Sequence, residues 1–147
     1  MTEANDQTGK QVILVVDDSP DDIALISQVL RETYQVKVAT NGKDALHIAY
    51  SSNPPDLILL DIMMPGMDGY EVCRQLKSDS QTSDIPVIFL SSRGEVADEE
   101  KGFEAGAVDY IIKPISPPIL LARVRTHLRI KRIISYLKEL AAHADFK

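Results

Sequence analysis

Five short apolar runs recur along this chain, and their brevity constrains the fold more than any other feature: VILVV at 12–16, VKVA at 36–39, LILL at 57–60, PVIFL at 86–90 and AVDYII at 107–112. Runs this short cannot make buried helices, and most are continuous rather than alternating, as strands covered on both faces are. Between them, apolar residues return at helical spacing. Strand and helix therefore alternate five times, which dictates right-handed crossovers and a parallel sheet with helices on both sides.

Punctuation residues mark the joints. Ser19 is an N-cap with Pro20 at the first helical position, ahead of Ile23, Ile26 and Leu30. Asn41-Gly42 turns into a helix around Ala45, Leu46 and Ala49, which Asn53-Pro54-Pro55 ends. MMPGMDG at 63–69 is a loop rich in turn formers, followed by a helix carrying Tyr70, Val72, Cys73 and Leu76. A helix near 96–105 stops at Gly106. The last helix opens at Ser116 with Pro117 and Pro118 in its first turn and runs to about Ala144, roughly 40 Å.

Composition agrees with an aliphatic core: of the 147 residues 44% are hydrophobic but only 5% aromatic, and Trp is absent. One domain with an appendage fits that length. The single cysteine, Cys73, cannot form an internal disulfide and is expected to be a partly buried helical thiol. A net charge of −6 argues against nucleic-acid binding by the whole surface. No run approaches the ~20 apolar residues that span a bilayer, and the polar start MTEANDQTGK has no signal-peptide pattern. A cytoplasmic protein without membrane contact is expected.

In a parallel α/β sheet, ligands sit beyond the carboxyl ends of the strands. Asp17, Asp18, Asp61, Ser91 and Lys113 all stand there. Each has an ordinary reading as a helix cap, turn residue or surface lysine. If the strands bring them together, the carboxylates repel one another, and the site needs a divalent cation or raised pKa values. A cation beside a free carboxylate is a phosphoryl-accepting arrangement.

The stretches VVDDSP (15–20), LLDIMMPGMDG (59–69), FLSS (89–92), AGAVDY (105–110) and IKP (112–114) together resemble the receiver domain of two-component response regulators, over roughly Gln11 to His127. The resemblance implies a flavodoxin-like, doubly wound five-stranded sheet in order 2-1-3-4-5, for which the family member CheY is a standard example, with the last helix extended. It also implies that Asp61 accepts a phosphoryl group from phosphohistidine on a sensor histidine kinase or histidine phosphotransfer protein. Asp18, Asp61 and the carbonyl of Met63 would ligate Mg²⁺, with Asp17 orienting a metal-bound water. Lys113 would contact a phosphoryl oxygen, aimed by a cis peptide bond at Pro114, and Ser91 would latch another. Tyr110 matches an aromatic switch position: it would rotate inward when Ser91 moves, remodelling the surface of the fourth helix, fifth strand and last helix. Met63 and Arg93 fall where the family tunes phosphate lifetime, although both can be plain loop residues.

Along the last helix, Leu121, Val124 and Leu128 make one apolar stripe. Ile130, Ile134, Leu137, Ala141 and Ala144 make a second, heptad-like over about two repeats. Residues 1–10 are thus expected to be a disordered lead, 11–128 the receiver domain, and 129–147 an extension that pairs in a homodimer or leads to an output domain. A helix folded back on its own domain is the alternative. Arg123, Arg125, Arg129, Lys131 and Arg132 form a locally basic stretch, expected to be a solvated face since only some of them share a side of the helix; nucleic-acid contact is the alternative, without a recognition helix, metal finger or aromatic platform to support it. Two further functional classes remain open: a Mg²⁺-dependent phosphohydrolase with an aspartyl nucleophile, and an interaction module with a vestigial acidic site.

Overall fold

The computed structural model describes residues 9–92 and 96–145. Most of the expected lead, and Arg93, lie outside the described residues. The elements alternate as β1 Val12–Val16, α1 Pro20–Leu30, β2 Gln35–Ala39, α2 Gly42–Ala49, β3 Leu57–Asp61, α3 Gly69–Ser78, β4 Val87–Ser91, α4 Val96–Ala105, β5 Asp109–Ile112 and α5 Pro117–Asp145. All strands pair in parallel in the order β2-β1-β3-β4-β5.

Every residue of β1, β3 and β4 is buried, which explains why those runs read as continuous hydrocarbon. Alternate side chains divide between two cores. Leu14, Val16, Ile58, Leu60, Val87 and Phe89 meet the face covered by α2, α3 and α4. Ile13, Val15, Leu57, Leu59, Ile88 and Leu90 meet α1 and α5. Local capping agrees with the packing: Ser19, Asn41 and Asp68 each accept a backbone N–H in the first turn of α1, α2 and α3.

Several boundaries differ from expectation in ways that matter. β3 continues through Asp61 and β4 through Ser91, so both residues sit in the hydrogen-bonded ladder rather than in loops. α2 ends at Ala49, ahead of the prolines, and the Ser51 hydroxyl donates to the freed carbonyl of Ile48 at 2.7 Å. Cys73 is fully rather than partly buried: its thiol donates to the Ala105 carbonyl, and burial pushes its pKa up to about 11.

Leu120, Val124 and Leu128 anchor the first half of α5 to the sheet. Beyond Leu128 the helix continues past the amino ends of the strands, tethered by Lys131 to Asp56 (3.7 Å) and by Lys138 to Asp84 (3.1 Å). Ile130 and Ile134 line a cleft of about 210 Å³ against Pro86 and Val108. Ile133, Tyr136, Leu137 and Leu140 are each about half exposed or more. Among the described residues no helix is long and apolar enough to cross a membrane.

Candidate functional site

Three strand ends deliver the site. β1 passes directly into Asp17, whose N–H donates to the Ala39 carbonyl and whose carboxylate receives the Ser19 N–H at 2.9 Å. Asp61 closes β3, and its Oδ1 accepts the Met63 N–H at 3.3 Å. Lys113 follows β5, with its N–H on the Ser91 carbonyl at 2.7 Å, and the Lys113–Pro114 peptide bond is cis. Each charged group therefore hangs from backbone held by the sheet.

The sheet order places β1 next to β3, so Asp17, Asp18 and Asp61 meet: one carboxylate oxygen of each lies within 4.8 Å of the other two. Asp17 and Asp61 are buried, whereas Asp18 is exposed. Burial first, and the neighbouring Asp17 charge second, push the pKa of Asp61 up to about 7 from 3.8, against the opposing pull of Lys113. The Lys113 ammonium lies 2.9 Å from Asp17, 2.9 Å from Asp22 and 3.7 Å from Asp61. Burial alone would lower its pKa, but the close carboxylates of Asp17 and Asp22, with the charge of Asp61, raise it overall.

Asp17 Oδ2 is buried and accepts no hydrogen bond of acceptable geometry, so its contact with Lys113 is an ion pair and not an oriented bond. A buried carboxylate oxygen left in this state, beside two more carboxylates, suits a hard divalent cation that prefers oxygen ligands. The donor set accordingly fits a metal ion.

Asp22 escaped the sequence reading. It stands in the first turn of α1, where an acidic residue has a sufficient explanation in capping and the helix dipole. The signal that could have found it is its position four residues after Asp18, on the turn that follows β1.

The site opens into a groove of about 700 Å³ lined by Ile62, Met63, Asp68, Tyr70, Ser91, Ser92 and Lys101. The end of β3 and the start of α3 pack closely at Gly69, where a Cβ would run into the Asp61 carbonyl oxygen. The Met63 side chain is 73% exposed, and Ser91 is buried. Tyr110 is already inward, only 7% exposed, with its ring 5.8 Å from both Phe89 and Phe103. In this conformation Tyr110 already occupies the inward position that its expected switching movement would reach. Gly102 makes the seat: a Cβ would approach the Tyr110 hydroxyl to 2.5 Å and the Phe89 ring to 2.9 Å. Ile130, Ile134, Leu137 and Ala141 lie on the extension, far along the chain from these groups.

A family model described as the response regulator receiver domain matches residues 13–125. A "Probable cyclic di-GMP phosphodiesterase" of Vibrio cholerae is 55% identical over 120 residues, 82% of this chain but 27% of that protein. The transcriptional regulatory protein ResD of Bacillus subtilis is 46% identical over 132 residues, 89% of this chain and 53% of that protein. Among solved structures, the chemotaxis response regulator CheY4 of Vibrio cholerae superposes with a TM-score of 0.76 at 28% identity, covering 80% of this chain and 98% of that one. The chain spans about a quarter to a half of the length of these two curated relatives.

Proposed function

This chain belongs to the response regulator receiver-domain family, whose members serve as phosphoacceptors in two-component signalling, and on that footing we propose that Asp61 is its acceptor. One observation carries the assignment: Asp61 ends β3 with its carboxylate within 4.8 Å of those of Asp17 and Asp18 and 3.7 Å from the Lys113 ammonium, beside an open groove. An Asp61 carboxylate oxygen attacks the phosphorus of a donor phosphohistidine. The new O–P bond forms as the P–N bond breaks, and the imidazole leaves with the electron pair.

Asp17, Asp18 and Asp61, with the Met63 carbonyl, would hold Mg²⁺, which would neutralise charge on the transferring phosphoryl oxygens. Lys113 supplies the fixed positive charge of the chain itself, and Asp22 holds its ammonium in place at 2.9 Å. Ser91, at the end of β4 beside the groove, donates to a phosphoryl oxygen, and Tyr110 reads the resulting movement. The chain catalyses its own phosphorylation and slow dephosphorylation and turns over no separate substrate.

The donor is a sensor histidine kinase or a histidine phosphotransfer protein. Residues 11–128 form the receiver, and residues 129–147 form an extension that pairs with a second copy or leads to an output domain. The exposed apolar residues beyond Leu128 support that division. The relatives carry names as different as a phosphodiesterase and a transcriptional regulator, so the output is a property of what a receiver is joined to.

Incubation with a small phosphodonor tests the reading. Stoichiometric labelling that requires Mg²⁺ and vanishes in Asp61→Asn is expected. Full labelling of that variant would exclude Asp61, and multiple turnover of the donor would mark a phosphohydrolase instead.

A further inference from the structure

The basic stretch of α5 divides between two sides of the helix. Arg123 pairs with Asp109 at 3.3 Å, and Lys131 with Asp56 at 3.7 Å. Arg125, Arg129 and Arg132 turn the other way, to a concavity of about 450 Å³ that they line with Lys10 from the lead into β1 and with Thr33 and Tyr34 from the turn before β2. Four cations meet there, and no carboxylate is among the described lining residues. None of the four forms an ion pair among the described residues. In a chain of net charge −6, so concentrated and unpaired a positive group is the reverse of the molecule's trend.

From this juxtaposition of Lys10, Arg125, Arg129 and Arg132 around one concavity we infer a binding site for a small polyphosphate, either a free oligophosphate chain or the phosphate tail of a nucleotide. Guanidinium groups match phosphate oxygens two at a time, and Lys10 adds a point charge. Arg125, Arg129 and Arg132 recur at intervals of four and three on one helix face, spanning roughly 10 Å along the axis at 1.5 Å per residue. A chain of two or three linked phosphates reaches across that span, whereas a single phosphate engages one or two of the groups. Because Lys10 leads into the sheet and the arginines stand at the root of the extension, a bound anion staples the start of the exposed half of α5 to the domain. The site lies outside the acidic cluster and stands independently of the role of Asp61.

Calorimetric titration of the full chain without Mg²⁺, using inorganic tripolyphosphate, tests the inference. Saturable one-to-one binding is expected, weakening several-fold between low and physiological salt. An Arg125→Glu/Arg129→Glu variant should lose at least about tenfold in affinity, while Arg123→Gln, outside the concavity, should bind as the parent chain does. Adenosine triphosphate binding tighter than tripolyphosphate identifies a nucleotide as the ligand, and equal affinity identifies the phosphate chain alone. No saturable binding, an equal loss in Arg123→Gln, or a hexaglutamate peptide binding as tightly as tripolyphosphate would each overturn the proposal. The double variant's far-ultraviolet circular dichroism and thermal midpoint separate lost binding from lost fold.

Discussion

At the carboxyl ends of the strands the molecule buries charge, whereas along the second half of α5 it exposes hydrocarbon. Asp17 and Asp61 are almost wholly withdrawn from water, and the cost is visible in the raised pKa of Asp61. Ile133, Leu137 and Leu140 are left in water with nothing described that covers them. Both regions are unfavourable locally and tolerable globally, because the two cores around the sheet supply the stability that each lacks. Places where local preference and global fold disagree are where a receiver can hold function.

Five substitutions test this contrast. The largest effect belongs to Val124→Asp, which puts an unpaired charge on the fully buried part of α5. A loss of about 3–5 kcal/mol in denaturant unfolding is expected. The corresponding change in the exposed half, Leu137→Asp, should leave stability within about 0.5 kcal/mol in the same measurement. Equal destabilisation by the two would erase the distinction between the halves.

Gly102→Ala comes next. Its new methyl meets the Tyr110 hydroxyl and the Phe89 ring, so a cost of about 1–3 kcal/mol is expected. Tyr110 should also move outward, seen as a change in near-ultraviolet circular dichroism.

The acidic pole supplies a pH test. With Asp61 raised from 3.8 to about 7 in the folded, metal-free protein, the native state holds a proton that the unfolded chain releases near pH 4. Stability contributed by that proton is complete below pH 4 and is lost as pH rises through about 7. Asp61→Asn should therefore be more stable than the parent at pH 8 without metal, by on the order of 1–2 kcal/mol after allowing for charge shared across the cluster. Saturating Mg²⁺ should reverse the order by stabilising the parent alone. A flat pH profile for the metal-free parent would show that burial and the neighbouring Asp17 charge do not raise Asp61 as the geometry requires.

The smallest effect is that of Lys138→Ala, whose ion pair with Asp84 is largely exposed on both sides. A change below about 0.5 kcal/mol is expected in thermal unfolding. A larger loss would mean that the extension is held to the domain more firmly than its exposure suggests.

Most of the architecture was legible because it rests on periodicity. The runs VILVV and LILL announce buried strands, and the N-cap Ser19 and the turn Asn41-Gly42 announce helix starts. Asp22 was not legible, because an acid in a first helical turn is already accounted for by the helix. The inward seat of Tyr110 was hidden for another reason: it depends on Gly102, eight residues earlier in the chain and on a different element. The basic residues of α5 looked like one stretch until side-chain direction sorted Arg123 and Lys131 from Arg125, Arg129 and Arg132.

By itself the amino-acid sequence determined the alternation of strand and helix, the strand ends on which chemistry could sit, and an acidic and lysine set matching the receiver family. Those are local properties of apolar spacing, capping and residue type. Only the tertiary structure decided that Lys113 rests on Asp17 and Asp22 closer than on Asp61, that Asp17 keeps a buried oxygen without an oriented partner, and which face of α5 carries unpaired arginines. Distances among groups far apart in the chain are set by strand order and helix packing, and no local pattern encodes them.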